Sequence, residues 1–82
     1  MKEQIKQFVE KNSWFNLDSE EENELSFATR NNGDGYHCLP GSRDILERDR
    51  MAKALLEHFP KDSIAVRRDT CDEWTTFDVI IL

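Results

Sequence analysis

Residues 63–82 constrain this chain more than any other stretch, because they read as a β-hairpin that closes on the final residue. Ile64 and Val66 alternate with Ala65 and Arg67, the polar stretch Asp69-Thr70-Cys71-Asp72-Glu73 makes a turn, and Trp74 to Leu82 returns. Strand side chains alternate between faces with period two, so Phe77, Val79 and Ile81 share one face and Trp74, Ile80 and Leu82 the other. Both faces carry apolar residues, and the last strand is therefore expected in the interior of a sheet. A chain ending on such a strand reads as one small domain spanning residues 1–82.

The rest of the chain supplies the partners for that hairpin. Met1 to about Asn12 reads as a helix with Ile5, Phe8 and Val9 on its apolar stripe. Trp14, Phe15 and Leu17 continue as an apolar connection that can fold back onto the core. Asp18, Glu20, Glu21, Glu22 and Glu24 follow, and this acidic run is expected to be a loop. Glu24 to Arg30 alternates Leu25, Phe27 and Thr29 against Ser26, Ala28 and Arg30, the pattern of a strand. Asn31-Asn32-Gly33-Asp34-Gly35 is a strong hairpin turn signal, since Asn-Gly and Asp-Gly supply positive φ. Tyr36 to Leu39 is then the return strand, ended by Pro40-Gly41.

A second helix is expected from Arg43 or Ile45 to His58, stopped by Pro60. Asp44 with Glu47 matches a capping box, and Ser42 is the competing cap. Ile45, Ala52, Leu55, Leu56 and Phe59, with Leu46 or Met51, form the expected buried stripe. The order α-β-β-α-β-β makes an α+β fold: a four-stranded antiparallel sheet with two helices packed on one face. A faint internal echo accompanies it. Lys6, Phe8, Val9 and Glu10 align with Lys53, Leu55, Leu56 and Glu57, and Arg30, Asn31, Asp34 and Tyr36 align with Arg68, Asp69, Asp72 and Trp74. On this alignment the acidic run is an insertion in the first of two α-β-β units.

Charge narrows the function classes. The net charge is −6 over 82 residues, and no basic residue lies between Lys11 and Arg30. Such a surface repels phosphate backbones, so direct nucleic-acid binding is not expected, whereas a protein partner with a basic surface is. The N-terminus leads into an amphipathic segment, and no apolar run approaches spanning length, so neither a secretory leader nor a membrane anchor is expected. Two cysteines, Cys38 and Cys71, are fewer than small secreted domains usually carry, which points to a reducing, cytoplasmic compartment. Whether they pair is left open by the sequence.

Each chemical motif competes with a plainer reading. Asp18-x-Glu20-x-Glu22 loosely imitates the start of a calcium loop, but Asn23 replaces the turn glycine and Thr29 the final bidentate glutamate. His37 and Cys38 are neighbours on a strand and so point to opposite faces. The two histidines and two cysteines, His37, His58, Cys38 and Cys71, would suffice in number for zinc but match no finger or knuckle spacing, and Cys71 near Arg67 and Arg68 gains at most some thiolate character. Gly33, Gly35 and Gly41 sit in no phosphate loop, and no nucleophile elbow or zinc-protease helix occurs. No catalytic residue, metal or cofactor is expected, and the chain is read as a non-enzyme.

Binding residues remain: Asp18, Glu20, Glu21, Glu22 and Glu24 as an acidic surface, Arg67 and Arg68 as a charged hairpin, and Trp74 as an aromatic anchor. If the helices cover one sheet face, Trp74, Ile80 and Leu82 form an apolar patch on the other, open to a partner or a homodimer. The competing reading places Trp74 in the single core with Trp14 and Phe15. The sequence thus points to a small acidic protein-binding module, a regulator or inhibitor. The alternative is a nucleic-acid mimic, of the kind phages and mobile elements encode, that blocks a DNA- or RNA-binding protein.

Overall fold

The computed structural model describes residues 1–30, 42–70 and 73–82. Two helices and four strands follow one another as α1 (Lys2–Asn12), β1 (Asn16–Glu20), β2 (Glu24–Arg30), α2 (Arg43–His58), β3 (Ile64–Thr70) and β4 (Trp74–Ile81). All four strands form one antiparallel sheet in the order β1-β2-β4-β3. The expected α-β-β-α-β-β fold is therefore the observed one, and β4 is interior, as its two apolar faces require.

Helix α1 buries Ile5 and Val9, one turn apart, with Phe8 half-buried beside them. Ser13 ends it in an extended conformation. Its N–H and its hydroxyl both donate to the Val9 carbonyl, at 3.0 and 2.9 Å, and its hydroxyl accepts from the Phe15 N–H at 3.2 Å. This serine satisfies a terminal carbonyl and turns the chain so that Phe15 enters the core, where its ring meets Phe77 edge-on at 5.1 Å.

Helix α2 begins at Ser42, whose hydroxyl accepts from the Ile45 N–H at 3.3 Å. The expected capping box at Asp44 and Glu47 is not formed. A cap must lie just outside the helix, and Asp44 is already inside it. Its carboxylate accepts instead from the Trp14 indole N–H at 2.9 Å, while Glu47 is held bidentately by Arg50 at 2.7 and 2.9 Å. The buried face also differs from expectation: it comprises Asp44, Glu47, Met51, Ala52 and Leu55, whereas Leu46 and Leu56 are more than half exposed and Ile45 is intermediate. Met51 and Leu55 set the centre of that face, and each residue turns it by about 100°, which carries Leu56 toward solvent.

The two middle strands carry the core's centre. Phe27 stands opposite Phe77, with rings stacked at 5.1 Å and 22°, and Leu25 stands opposite Val79. Ile64 pairs with Ile81 and Val66 with Val79 on the same face. Ile5, Val9, Met51 and Leu55 close over these side chains, so both helices lie on one side of the sheet. Strand partners share a face, which puts Ser26, Ala28, Arg30, Trp74, Thr76, Asp78, Ile80, Ala65 and Arg67 on the helix-free side.

The first hairpin of the described sheet pairs β1 with β2. The acidic run is not a loop: Asp18 to Glu20 lie in β1, and Glu21 to Asn23 turn into β2, with the Glu21 N–H donating to the Glu24 carbonyl at 2.8 Å. Every residue of β1 is exposed, and its register with β2 shifts between Leu17 and Ser19, a bulge. A polar sequence is tolerated there because an edge strand needs backbone pairing more than a buried face. The expected return strand Tyr36 to Leu39 and its Asn31–Gly35 turn fall outside the described residues. The repeat alignment changes accordingly. Arg30 ends β2 and Arg68 lies in β3, so they are not equivalents; the two units instead match α1-β1-β2 with α2-β3-β4, and Phe27 with Phe77 across the centre.

Candidate functional site

The helix-free sheet face is polar at its middle. Asp78, on β4, accepts from the Ser26 hydroxyl at 2.6 Å on one oxygen and from Arg67 Nε at 2.9 Å on the other. Arg67 also reaches Glu24 at 3.1 Å. The bond to Asp78, then its charge and that of Glu24, raise the Arg67 pKa further above its already high ordinary value, so the guanidinium is a fixed cation. These four side chains from three strands tie β2, β4 and β3 together on the solvent side.

That network divides the expected apolar patch. Trp74 and Ile80 lie on the same face but six residues apart along one strand, roughly 20 Å, and Thr76 and Asp78 intervene. Leu82 lies beyond Ile80, at the far end. Trp74 does not join the core with Trp14. Both are about two-fifths exposed, Trp74 at 43%, and of the three residues only Phe15 is buried. Trp74 instead lines a depression of about 300 Å³ together with Asp18, Ala28 and Thr76.

The other sequence-selected residues scatter. Glu20 points to the helix side, where Lys6 meets it at 2.9 Å and Lys2 at 3.6 Å. The Lys6 hydrogen bond, outweighing partial desolvation, holds the Glu20 carboxyl below its ordinary pKa and raises that of Lys6 in turn. Glu24 is engaged by Arg67, and Glu21 and Glu22 occupy the turn. The five carboxylates therefore do not form a single row. Arg67 and Arg68 are likewise separated: Arg67 faces the open side, while Arg68 lies on the helix side against Asp49 of α2 at 3.4 Å. His58 stacks on Phe8 at 4.5 Å and meets Phe59 edge-on at 5.0 Å. His37, Cys38 and Cys71, and the expectations for them, lie outside the described residues.

Sequence reasoning named Trp74 and Asp18 but not the surface joining them. Ala28 and Thr76 were readable as open-face positions from alternation alone. That Ala28 lies beside Thr76 depends on the β2–β4 register, which no local pattern encodes. No group of three or more His, Cys, Asp or Glu side chains is placed to hold a metal ion among the described residues. No described helix is long and apolar enough to cross a membrane. Comparison with known protein families, curated proteins and solved structures finds no match for this chain.

Proposed function

We propose that this chain is a non-enzymatic protein-binding module, a cytoplasmic regulator or inhibitor, that engages its partner across the helix-free sheet face at Trp74. The observation that carries this reading is the half-exposed Trp74 indole lining the Asp18–Ala28–Thr76 depression. Tryptophan is enriched among the few residues that carry most of the binding energy at protein interfaces. The occupant suited to this depression is a lysine or arginine side chain of the partner, which would lie over the indole face and reach the Asp18 carboxylate. The net charge of −6 favours approach of such a basic surface.

The test is capture of the partner from the native host, followed by affinity measurement with variants. Trp74→Ala is expected to weaken binding at least tenfold, and Asp18→Asn to reduce both affinity and its dependence on salt. If Trp74→Ala binds as the parent does, while joint neutralisation of Asp18, Glu21 and Glu22 abolishes binding, the nucleic-acid-mimic reading replaces this one. Unchanged affinity in both variants would defeat both.

A further inference from the structure

The sheet has two outer edges, and they are not alike. Strand β1 is five residues long, bulged, and carries Asp18 and Glu20, devices that discourage another strand from pairing. Strand β3 is seven residues long and pairs with β4 in unbroken register from Ile64 to Thr70. Among the described residues no strand lies against its outer side.

Hydrogen-bond direction fixes which groups that edge presents. The Leu82 N–H donates to the Ser63 carbonyl at 3.0 Å, while the Ile81 N–H donates away from β3, to the Asn23 carbonyl at 2.8 Å. In an antiparallel ladder residues alternate between bonding inward and facing outward. Ala65 and Arg67 therefore bond to β4, and the N–H and C=O groups of Ile64, Val66 and Arg68 face away from the sheet.

A groove of about 310 Å³ runs beside this edge, between β3 and α2. Ala52, Leu56 and Val66 give it an apolar floor, and Leu56, 51% exposed, is the large apolar residue the helix leaves uncovered there. Lys53 and Glu57 also line it, as do Asp49 and Arg68, which meet each other. Their contact, 3.4 Å, is long for an ion pair, and the Arg68 side chain is 55% exposed. A better-placed carboxylate could displace it.

We infer that β3 and the β3–α2 groove form a second binding site, one that takes an extended acidic segment of another protein as a fifth strand. The segment's backbone pairs with Ile64, Val66 and Arg68, one apolar side chain enters the groove against Leu56 and Val66, and a carboxylate meets Arg68. Backbone pairing supplies affinity, and the groove and Arg68 supply selectivity.

The probe is an acetylated, amidated seven-residue peptide in which threonine alternates with valine, leucine and glutamate, added at millimolar concentration to the isotope-labelled chain. Amide exchange of Ile64, Val66 and Arg68 is expected to slow at least tenfold, while Ala65 and Arg67, already bonded to β4, change little. A proline-substituted twin of the peptide should have no effect. Val66→Pro removes an outward donor without touching the β4 ladder and should abolish the effect; Leu56→Asp, at an exposed position, should do the same by replacing the groove's apolar floor with a carboxylate that repels the peptide's glutamate. Trp74→Ala should leave it intact, which separates this site from the open-face site. Unslowed exchange, or slowing mapped elsewhere, would overturn the inference. So would slowing without peptide that grows with protein concentration, which would make a second copy the occupant.

Discussion

The Trp14 indole N–H and the Asp44 carboxylate meet at 2.9 Å, and Asp44 is only 3% exposed. The second Asp44 oxygen has no hydrogen-bond partner among the described residues, so this carboxylate depends heavily on one donor. Trp14→Phe keeps most of the ring and removes that donor. It is expected to lower stability by about 1–3 kcal/mol, the cost of leaving a buried acceptor unsatisfied, and urea unfolding measures it. In the Asp44→Ala background the same change should cost less, because the carboxylate needing the donor is gone. Glu20 gives a pH signature. Its carboxyl is depressed in the folded chain, mainly by the Lys6 hydrogen bond, so its contribution is present at neutral pH. The contribution is lost as pH falls from the ordinary carboxylate range near 4.5 through the lower folded value. Melting temperatures of the parent and Glu20→Gln should therefore converge as the buffer is acidified through that range, and move closer in high salt at neutral pH. Neither contact was readable in the sequence. Trp14 and Asp44 are separated by thirty residues, and the pairing of Glu20 with Lys6 requires knowing that the acidic run is a strand.

At the scale of elements, legibility followed the strength of the local pattern. Both helices and the second hairpin announce themselves through apolar periodicity and terminators, and β2 through strict alternation around Leu25 and Phe27. Strand β1 has no such pattern: Asn16-Leu17-Asp18-Ser19-Glu20 carries one apolar residue and is wholly exposed. Its strand state comes from the backbone of β2, from the Lys2 and Lys6 contacts to Glu20, and from Phe15 anchored just before it. The Glu21–Asn23 turn contains no glycine, so nothing in its sequence marks it as a hairpin connection. At the start of α2, Ser42 and Asp44 both have the chemistry of a cap, and only backbone conformation separates them. Ser42→Ala is expected to cost about 0.5–2 kcal/mol, visible as a lower urea midpoint with unchanged cooperativity. Asp44→Ala should act through Trp14 instead, and a double-mutant cycle with Trp14→Phe would show coupling that Ser42→Ala lacks.

For the whole molecule, the organising pair is Phe27 and Phe77. They lie opposite each other on the two middle strands, with Phe15 edge-on against Phe77 and both helices closing above. Among the described residues the two α-β-β units are joined in the sheet only along this β2–β4 seam. Phe77→Ala should cost about 3–5 kcal/mol, a large part of the roughly 5–15 kcal/mol that holds a domain together. A melting temperature lowered by more than about 10 °C, with both hairpins lost in one transition, is the expected result. A separate earlier loss of one unit would show that the halves are not a single cooperative body.

The same seam bears on how fast the chain can find its shape. Each hairpin brings together strands close in sequence, but β2 and β4 must meet across all of α2 and β3. Closing so wide a separation is entropically expensive and rewarded late. The chain is therefore expected to fold in milliseconds or longer, with its middle zipped after its flanks. During that interval the inner borders of β2 and β4 lie bare, and a foreign strand arriving then would meet a more welcoming ladder than any the finished molecule displays.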